Sequence, residues 1–290
     1  SKLLAVDDVS FTLRRGKTLA VVGESGSGKS MTSLAVMGLL SEEAQVSEGS
    51  IQLNGQELLG MSREERRKIQ GKNMSMVFQE PMTSLNPTIT VGKQIGEAVR
   101  IHNKKMSRGQ IRKRVIELMQ LVEIDRPEER IRQYPHEFSG GMRQRAVMAI
   151  ALAGNPKILF ADEPTTALDV TIQAQILDVF RRIQKKLEMA TVFISHDLGV
   201  VAGVADRVAV MYAGKIVEIG TAEEIFYDPR HPYTWGLLQS LPVLSEGKEW
   251  LPTLPGMPPT LIHSPKGDAF AERNVYAMRI DYEKEPPMFR

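Results

Sequence analysis

Short apolar runs alternate with longer amphipathic stretches along most of this chain. The run Thr18–Val22 contains no charged residue, which is typical of a strand buried on both faces of a parallel sheet. Comparable runs lie at residues 74–78, 158–161 and 191–195. A hairpin is predicted further on, with strands at 207–212 and 216–219 around the turn 213–215. Because predicted helices separate most of these strands, the pattern indicates an α/β fold.

Alternation near the N-terminus predicts half-buried strands. Val9, Phe11 and Leu13 alternate with polar residues, so we expect a strand with one face on the core. Residues 51–53 alternate in the same way, and the Asn-Gly dipeptide at 54–55 that follows them is a strong signal for a tight hairpin.

Residues from about 91 to 153 are predicted to be mostly helical, with a break at 134–141. Ser107 and Gln110 have the spacing of a capping box. An apolar stripe at helical spacing follows, which we interpret as a core-facing stripe: Ile111, Val115, Leu118, Met119 and Val122. The block lies between Gln79 and the strand before Asp162, so we interpret it as a subdomain inserted into the sheet.

A further helix is predicted after Asp169, whose carboxylate can cap it. Its apolar positions recur at helical spacing: Ile172, Ile176, Val179, Phe180, Ile183 and Leu187. The end of the chain differs, because seven of the 16 prolines lie within the last 48 residues. We therefore expect an extension that covers a surface of the protein and forms no second core.

A glycine-rich segment follows the first buried strand and fits the pattern G-x-x-x-x-G-K-S. It consists of Gly23, Glu24, Ser25, Gly26, Ser27, Gly28, Lys29 and Ser30. Glycines let backbone N–H groups surround a phosphate, and the helix predicted over 31–40 adds its positive end. Lys29 is expected to reach the β- and γ-phosphates, and the Ser30 hydroxyl to ligate Mg²⁺. A glycine-rich turn without a ligand is the alternative, and the strand and helix on either side disfavour it.

An acidic pair, Asp162-Glu163, ends the strand at 158–161. In a chain with a phosphate-binding loop, Asp162 is placed to hold Mg²⁺ through water, and Glu163 is placed to act as general base on the attacking water. A surface pair at a strand end is the alternative interpretation for Asp-Glu alone.

A second anion site is predicted at Ser139-Gly140-Gly141, which opens a helix. One chain does not need two γ-phosphate sites, whereas two copies that face each other do. By itself the segment could be a glycine-rich helix cap, but its position shortly before Asp162-Glu163 favours the anion site.

These motifs together resemble the ATP-binding subunits of ABC transporters, from about residue 5 to residue 242. The resemblance implies that residues 23–30 form the Walker A loop and that Ser139, Gly140 and Gly141 form the family signature. It also implies roles for single residues: Asp162 as the Walker B aspartate, Glu163 as the catalytic glutamate, Gln79 as the Q-loop glutamine that senses Mg²⁺ and water, Asp169 in the D-loop with Ala167 and Leu168, and His196 as the switch histidine at the γ-phosphate.

A narrower resemblance is to the peptide and nickel importer branch of this family. Residues 79–87, 134–136, 231–234 and 267–278 carry it. It implies a RecA-like P-loop core with an N-terminal antiparallel sheet (residues 1–80 and 155–228), an inserted helical subdomain (81–154) and a proline-rich C-terminal extension (229–290).

The chain departs from that branch in two places. Many members carry cysteines in the extension that bind an iron–sulfur cluster, whereas Asp268, Asn274 and Asp281 occupy the matching positions here, so we expect no such cluster. The aromatic residue that stacks on adenine in the family would fall at or before Ser1, and Leu3 and Leu4 cannot stack in that way. Either a preceding segment supplies it or adenine is held more loosely.

Composition adds limits on partners and compartment. The net charge is +2, from 37 basic and 35 acidic residues, so no strong field recruits nucleic acid. Basic residues cluster at Arg108, Arg112, Lys113 and Arg114, which we interpret as a solvated helix face. There is no cysteine and no apolar run of about 20 residues, so we expect a soluble, intracellular protein without disulfides.

The resemblance implies an ATPase subunit that powers oligopeptide or dipeptide import from the cytoplasmic face of the membrane. Two such subunits, here a related but distinct pair, would close head to tail on ATP and Mg²⁺. Two membrane permease subunits would bind them, and an extracellular solute-binding protein would act indirectly. Nickel or another small solute remains an alternative cargo. The rival classes are a soluble ABC ATPase of DNA repair or translation and a non-hydrolysing structural role.

Overall fold

The computed structural model of the protein describes residues 3–79, 81–166, 168–241, 254–259 and 265–289. Its strands are β1 (Thr18–Val22), β2 (Gln52–Leu53), β3 (Gln56–Glu57), β4 (Met74–Val77), β5 (Ile158–Asp162), β6 (Ala190–Ser195), β7 (Arg207–Tyr212) and β8 (Lys215–Thr221). Its first helices are α1 (Lys29–Met37), α2 (Arg63–Ile69), α3 (Pro81–Ser84), α4 (Val91–His102), α5 (Arg108–Leu121) and α6 (Pro127–Arg130). The later helices are α7 (Gly140–Ala151), α8 (Val170–Leu187), α9 (Leu198–Ala202), α10 (Ala222–Tyr227) and α11 (Pro232–Gln239).

A six-stranded sheet organises the fold, in the order β4-β5-β6-β1-β7-β8. Strands β4, β5, β6, β1 and β7 pair in parallel, and β8 closes the edge antiparallel to β7. All residues of β1 and β6 are buried, as their uninterrupted apolar runs predict for strands covered on both faces. The α/β fold is therefore confirmed. Since parallel strands point the same way, the segments that leave β1, β4, β5 and β6 meet at one edge of the sheet.

The helical block between β4 and β5 is also confirmed, as α4 to α7. The capping box at Ser107 and Gln110 is present at the start of α5. Val115, Leu118, Met119 and Val122 are buried, and Ile111 packs against the same cluster. That cluster continues into β5 and α8, so the block and this side of the sheet share one hydrophobic core. The division into three domains stays a prediction.

Two predictions about the first part of the chain need correction. The strand expected at Val9, Phe11 and Leu13 is wrong, since the structure has no strand within residues 3–17. The three side chains still pack against the core formed by β1, β4 and β7, so the alternation correctly predicted which side is buried. Among the described residues before β4, the antiparallel pairing is that of β2 with β3, strands of two residues each.

Helix α1 ends at Met37 and not near residue 40, because Gly38 takes a left-handed conformation with φ of 67°.

The C-terminal extension does more than cover a surface. In its described part, Phe270 and Ala271 are buried, and Phe270 joins a core cluster with Tyr212 of β7 and Tyr233 of α11. Short 3-10 turns follow at Ala271–Arg273 and Arg279–Tyr282. The expectation that the extension lacks a globular core of its own also concerns residues 242–253 and 260–264, which lie outside the described residues.

Candidate functional site

The segment 23–30, called the P-loop below, joins the buried end of β1 to α1. Gly23 cannot be replaced without a shift of the backbone, because an added Cβ would lie 2.1 Å from the Met211 carbonyl oxygen of β7. Gly28 caps α1 with φ of 97°, a conformation that favours glycine. Ser25 and Gly26 are exposed at the tip of the loop. The strand, loop and helix therefore follow one another as the sequence predicts.

Lys29 turns its amine back onto the loop. Its Nζ donates to the carbonyl oxygens of Gly23 and Glu24, both at 2.8 Å. Burial lowers the pKa of Lys29, while the carboxylates of Glu163, Asp162 and Glu24 act in the opposite direction, and the net shift is downward. The P-loop thus holds a buried amine among carbonyl oxygens and carboxylates.

Ser30 and Asp162 are in direct contact, as a shared metal site would require. The Ser30 hydroxyl donates to Asp162 Oδ1 at 3.1 Å. Burial raises the pKa of Asp162, although the hydrogen bond from Ser30 opposes this. A hydroxyl and a carboxylate oxygen on rigid elements are the donor types that Mg²⁺ prefers, so these residues fit that ion.

Glu163 accepts hydrogen bonds from three directions. Gln79 Nε2 and Thr166 Oγ1 each donate to Oε2 at 2.9 Å, and His196 Nδ1 lies 3.2 Å from Oε1. Burial raises the pKa of Glu163, but the bonds from His196 and Thr166 outweigh it, and the net pKa is below the usual value. Glu163 is therefore a carboxylate at neutral pH, held in one orientation at the edge of the sheet.

The structure thus brings together Gln79, Glu163 and His196, which sequence analysis placed in one site. It adds Thr166, which sequence analysis missed. Its position three residues after Glu163 was the available signal, since a hydroxyl at that spacing can reach back to the carboxylate. Glu163 also has φ of 45°, a left-handed conformation that is uncommon for a non-glycine residue and often marks functional sites.

Ser139, Gly140 and Gly141 lie at the start of α7. The Ser139 hydroxyl accepts a hydrogen bond from Met142 N at 3.3 Å and so acts as the N-cap. In the part of the chain that the structure describes, no hydrogen bond or ion pair joins these residues to the P-loop. Gly141 packs tightly on α8, since a Cβ there would lie 2.8 Å from the Ile172 side chain.

Asp169 caps α8, as predicted, by accepting from Ile172 N at 2.9 Å. The resemblance assigns two further residues to the same loop. Leu168 lies beside Gly140, since a Cβ added at Gly140 would be 3.4 Å from the Leu168 side chain. Ala167 lies outside the described residues. Gly140 of the segment 139–141 and Leu168, which precedes Asp169, are therefore neighbours in this chain.

The extension contacts the P-loop, which sequence analysis did not predict. Arg273 forms an ion pair with Glu24, with Nη1 to Oε2 at 2.6 Å. Glu24 N also donates to the Tyr233 hydroxyl at 2.9 Å. No local pattern could have found the ion pair, because its partners are 249 positions apart.

The three residues at the matching cysteine positions each stabilise a local turn. Asp268 accepts from Phe270 N at 2.9 Å, Asn274 from Tyr276 N at 3.0 Å, and Asp281 from Met278 N at 2.7 Å. Leu3 and Leu4, which cannot stack on adenine, are exposed. Among the described residues there is no group of three or more histidine, aspartate or glutamate side chains arranged to hold a metal ion.

Three features define a P-loop ATPase: a P-loop after a central parallel strand, an Asp-Glu pair at the end of β5 in the same sheet, and a helical block between β4 and β5. The family profile described as ABC transporter matches residues 6–166, and that of the oligopeptide/dipeptide transporter C-terminal region matches residues 217–280. The chain belongs to the ATP-binding proteins of ABC transporters.

Curated relatives agree with this assignment. The chain is 60% identical over 288 residues to the oligopeptide transport ATP-binding protein OppD of Bacillus subtilis, covering 99% of the chain and 80% of the relative. It is 58% identical over 285 residues to the dipeptide transport ATP-binding protein DppD of Lactococcus lactis, covering 98% of the chain and 82% of the relative.

Solved structures share the fold. The dimeric, ADP- and phosphate-bound ATP-binding cassette MJ0796 aligns with a TM-score of 0.66 at 26% identity, over 75% of this chain and 90% of that chain. CbiO1 of Clostridium perfringens, part of the ABC transporter complex CbiONQ, aligns with a TM-score of 0.69 at 27% identity, over 77% and 84%. In the described part of this chain, no helix is both long and apolar enough to cross a membrane.

Proposed function

We propose that this ATPase powers the import of oligopeptides or dipeptides. The observation that carries the proposal is the presence, in one chain, of an ATPase site and of the C-terminal region typical of oligopeptide and dipeptide transporters. The relatives named for oligopeptide and dipeptide transport match almost the whole chain and support the same cargo.

In this proposal the P-loop and Lys29 bind the triphosphate, and Glu163 accepts a proton from the attacking water through its carboxylate. Gln79 and His196 orient Glu163, because each already lies within hydrogen-bonding distance of one of its oxygens. Thr166 does the same from the side of α8. Ser30 and Asp162 are the residues that would hold Mg²⁺, which neutralises phosphate charge during transfer.

The proposal includes a partner ATPase subunit. Within the described residues, no hydrogen bond or ion pair joins Ser139, Gly140 or Gly141 to the P-loop of the same chain. This is expected if these residues contact the nucleotide bound by a second subunit. Asp169, next to this segment, would lie at the same interface. We propose a head-to-tail pair with a related but distinct subunit, bound to two permease subunits at the cytoplasmic face of the membrane.

Disulfide trapping tests this arrangement, because the sequence of this chain contains no cysteine that would compete with an introduced one. Ser139→Cys in this chain should crosslink in the presence of ATP to a cysteine placed in the P-loop of the companion subunit, at the position that corresponds to Ser25. The control carries Ser25→Cys and Ser139→Cys in one chain and should not crosslink internally. Internal crosslinking would overturn the head-to-tail pair.

Stimulation of ATP hydrolysis tests the cargo. The intact complex, isolated from membranes and supplied with its solute-binding protein, should hydrolyse ATP faster with dipeptides or oligopeptides than without them. A complex that carries Lys29→Ala provides the background. Stimulation by Ni²⁺ but not by any peptide would overturn the proposed cargo, and co-purification with nucleic acid in place of membrane subunits would overturn the transport role.

A further inference from the structure

The C-terminal extension reaches the P-loop through one buried side chain. Arg273 is only 4% exposed, and its guanidinium forms two parallel hydrogen bonds to Glu24: Nη1 to Oε2 at 2.6 Å and Nη2 to Oε1 at 3.0 Å. A bidentate pair of this kind fixes the orientation of both groups as well as their distance. It therefore determines where the carboxylate of Glu24 lies.

The guanidinium is itself fixed from the other side. Arg273 Nε donates to the Pro255 carbonyl oxygen at 2.7 Å, and Nη1 also reaches the Tyr212 hydroxyl at 3.3 Å. Its Cζ lies 5.7 Å from the centre of the Tyr212 ring and 6.0 Å from that of Phe270. Arg273 thus has partners in the extension and in β7, and it cannot follow a movement of the loop freely.

Glu24 connects this support to the lysine of the P-loop. Its backbone N–H donates to the Tyr233 hydroxyl at 2.9 Å, and its carbonyl oxygen accepts from Lys29 Nζ at 2.8 Å. The residue is therefore held by its side chain and its N–H from the extension, while its carbonyl contacts the phosphate-binding amine.

Charge gives the contact a second consequence. A carboxylate in a loop that binds a triphosphate repels the ligand unless a cation offsets it. The bidentate partner of Glu24 is Arg273, whose charge is permanent at any working pH. Loss of Arg273 would leave Glu24 less constrained and without the cation that pairs with it directly.

We propose that Arg273 is a positioning residue for ATP, which orients the P-loop through Glu24 and offsets the charge of that carboxylate. This inference rests on the proposed nucleotide site. It gives the C-terminal extension a role in nucleotide binding through this chain's own residues.

The test measures ATP affinity, KM and kcat for Arg273→Met in the assembled complex, with the melting temperature recorded for each variant. We expect Kd and KM for ATP to rise about tenfold, which is about 1.4 kcal/mol, while kcat at saturating ATP changes less than twofold. The matched control is Arg279→Met, since Arg279 lies in the same extension, is 94% exposed and pairs only with Glu283 among the described residues. This control should match the parent protein.

A second variant separates positioning and charge from simple stability. Adding Glu24→Gln to Arg273→Met removes the carboxylate that has lost its direct partner, so ATP affinity should recover by at least threefold, whereas a purely structural role predicts a further loss. If Arg273→Met does not fold, Arg273→Lys carries the test, because it keeps the charge and loses the fork, and we expect an intermediate affinity.

Affinity of either foldable Arg273 variant within twofold of the Arg279→Met control would overturn the proposal. Failure of the parent protein to bind ATP would instead overturn the nucleotide site itself, which distinguishes the two results.

Discussion

Replacing Glu163 with glutamine removes the proposed general base with little change of shape. The amide oxygen can still accept from Gln79 and Thr166, which both donate to Oε2. The amide nitrogen would then face His196 Nδ1, 3.2 Å away, and can donate to it when that nitrogen is unprotonated. The bonds from Gln79 and Thr166, which orient the side chain, are therefore retained, whereas the negative charge and proton acceptance are lost.

The magnitude follows from the loss of proton acceptance. A general base contributes about 10²–10⁴-fold to rate, equivalent to about 3–5 kcal/mol of barrier. Glu163→Gln should therefore reduce kcat by about that factor. ATP affinity should stay within about threefold of the parent protein, because charge-assisted binding by Lys29 and the Ser30–Asp162 contact is untouched. Nucleotide-bound, closed pairs should accumulate as a result.

The assay combines equilibrium ATP binding, steady-state hydrolysis and the dimer fraction, with the companion subunit present. Glu223→Gln is the matched control, since Glu223 is an exposed carboxylate on α10 and should leave all three quantities unchanged. A fall in kcat of less than about tenfold for Glu163→Gln would show that Glu163 is not the base.

The remaining predictions concern binding, metal dependence and pH. Lys29→Ala should weaken ATP binding about 10- to 150-fold, the equivalent of the 1.5–3 kcal/mol of a charged hydrogen bond, measured by titration with a fluorescent ATP analogue. Asp162→Asn should abolish the gain in ATP affinity on adding Mg²⁺ and leave metal-free binding almost unchanged, measured by the same titration with and without chelator. Burial lowers the pKa of His231 against the opposing effect of Asp268 and Glu218, so the unfolded chain binds more protons below about pH 6.5. The free energy of unfolding should therefore fall as the pH drops below that value, by up to about 1.4 kcal/mol per pH unit. Denaturant unfolding should show a smaller fall for His231→Asn, since asparagine can still cap α11.

Each of these predictions has a control and a contradicting result. Lys185→Ala changes an exposed lysine on α8, and equal effects at both lysines would remove Lys29 from its role. Asp178→Asn, which changes an exposed carboxylate on α8, is the control for Asp162→Asn, and equal effects of these two substitutions would remove Asp162 from its role. For the histidine, parallel pH profiles of the parent protein and His231→Asn between pH 7.5 and 5.5 would show that His231 does not titrate as proposed.

The parts of the fold that sequence predicts are those whose signal is local. Strand β1, the P-loop and the start of α1 follow one another, so spacing alone defines them. The end of α1 was also encoded locally, in Gly38, but the apolar residues beyond it extended the predicted helix too far. Alternation at residues 9–13 predicted burial correctly and pairing wrongly, because the period of a strand says which side faces the core and nothing about a neighbouring backbone.

The candidate site divides in the same way. Gln79, Glu163 and His196 could be grouped only because the family resemblance assigns them to one site, since no spacing rule joins residues so far apart. Arg273 lies within the stretch 267–278 that carries the narrower resemblance, but no pattern there pairs it with Glu24, which occupies a variable position of the P-loop pattern. Their contact depends on how the extension folds over β7, which is a tertiary property.

Strand order explains why the helical block can influence Glu163. Gln79 follows β4, Thr166 follows β5, and His196 follows β6, and these three strands are neighbours in the sheet. Thr166 and His196 lie on segments next to Glu163 itself, whereas Gln79 lies where the chain enters the helical block. A displacement of that block would therefore break the Gln79 bond first and leave the other two in place. One hydrogen bond to a charged group is worth about 1.5–3 kcal/mol, so the position of the block can alter the population of correctly oriented Glu163 by about 10- to 150-fold. In the proposed complex, a permease subunit that moved the block would control hydrolysis without touching the nucleotide.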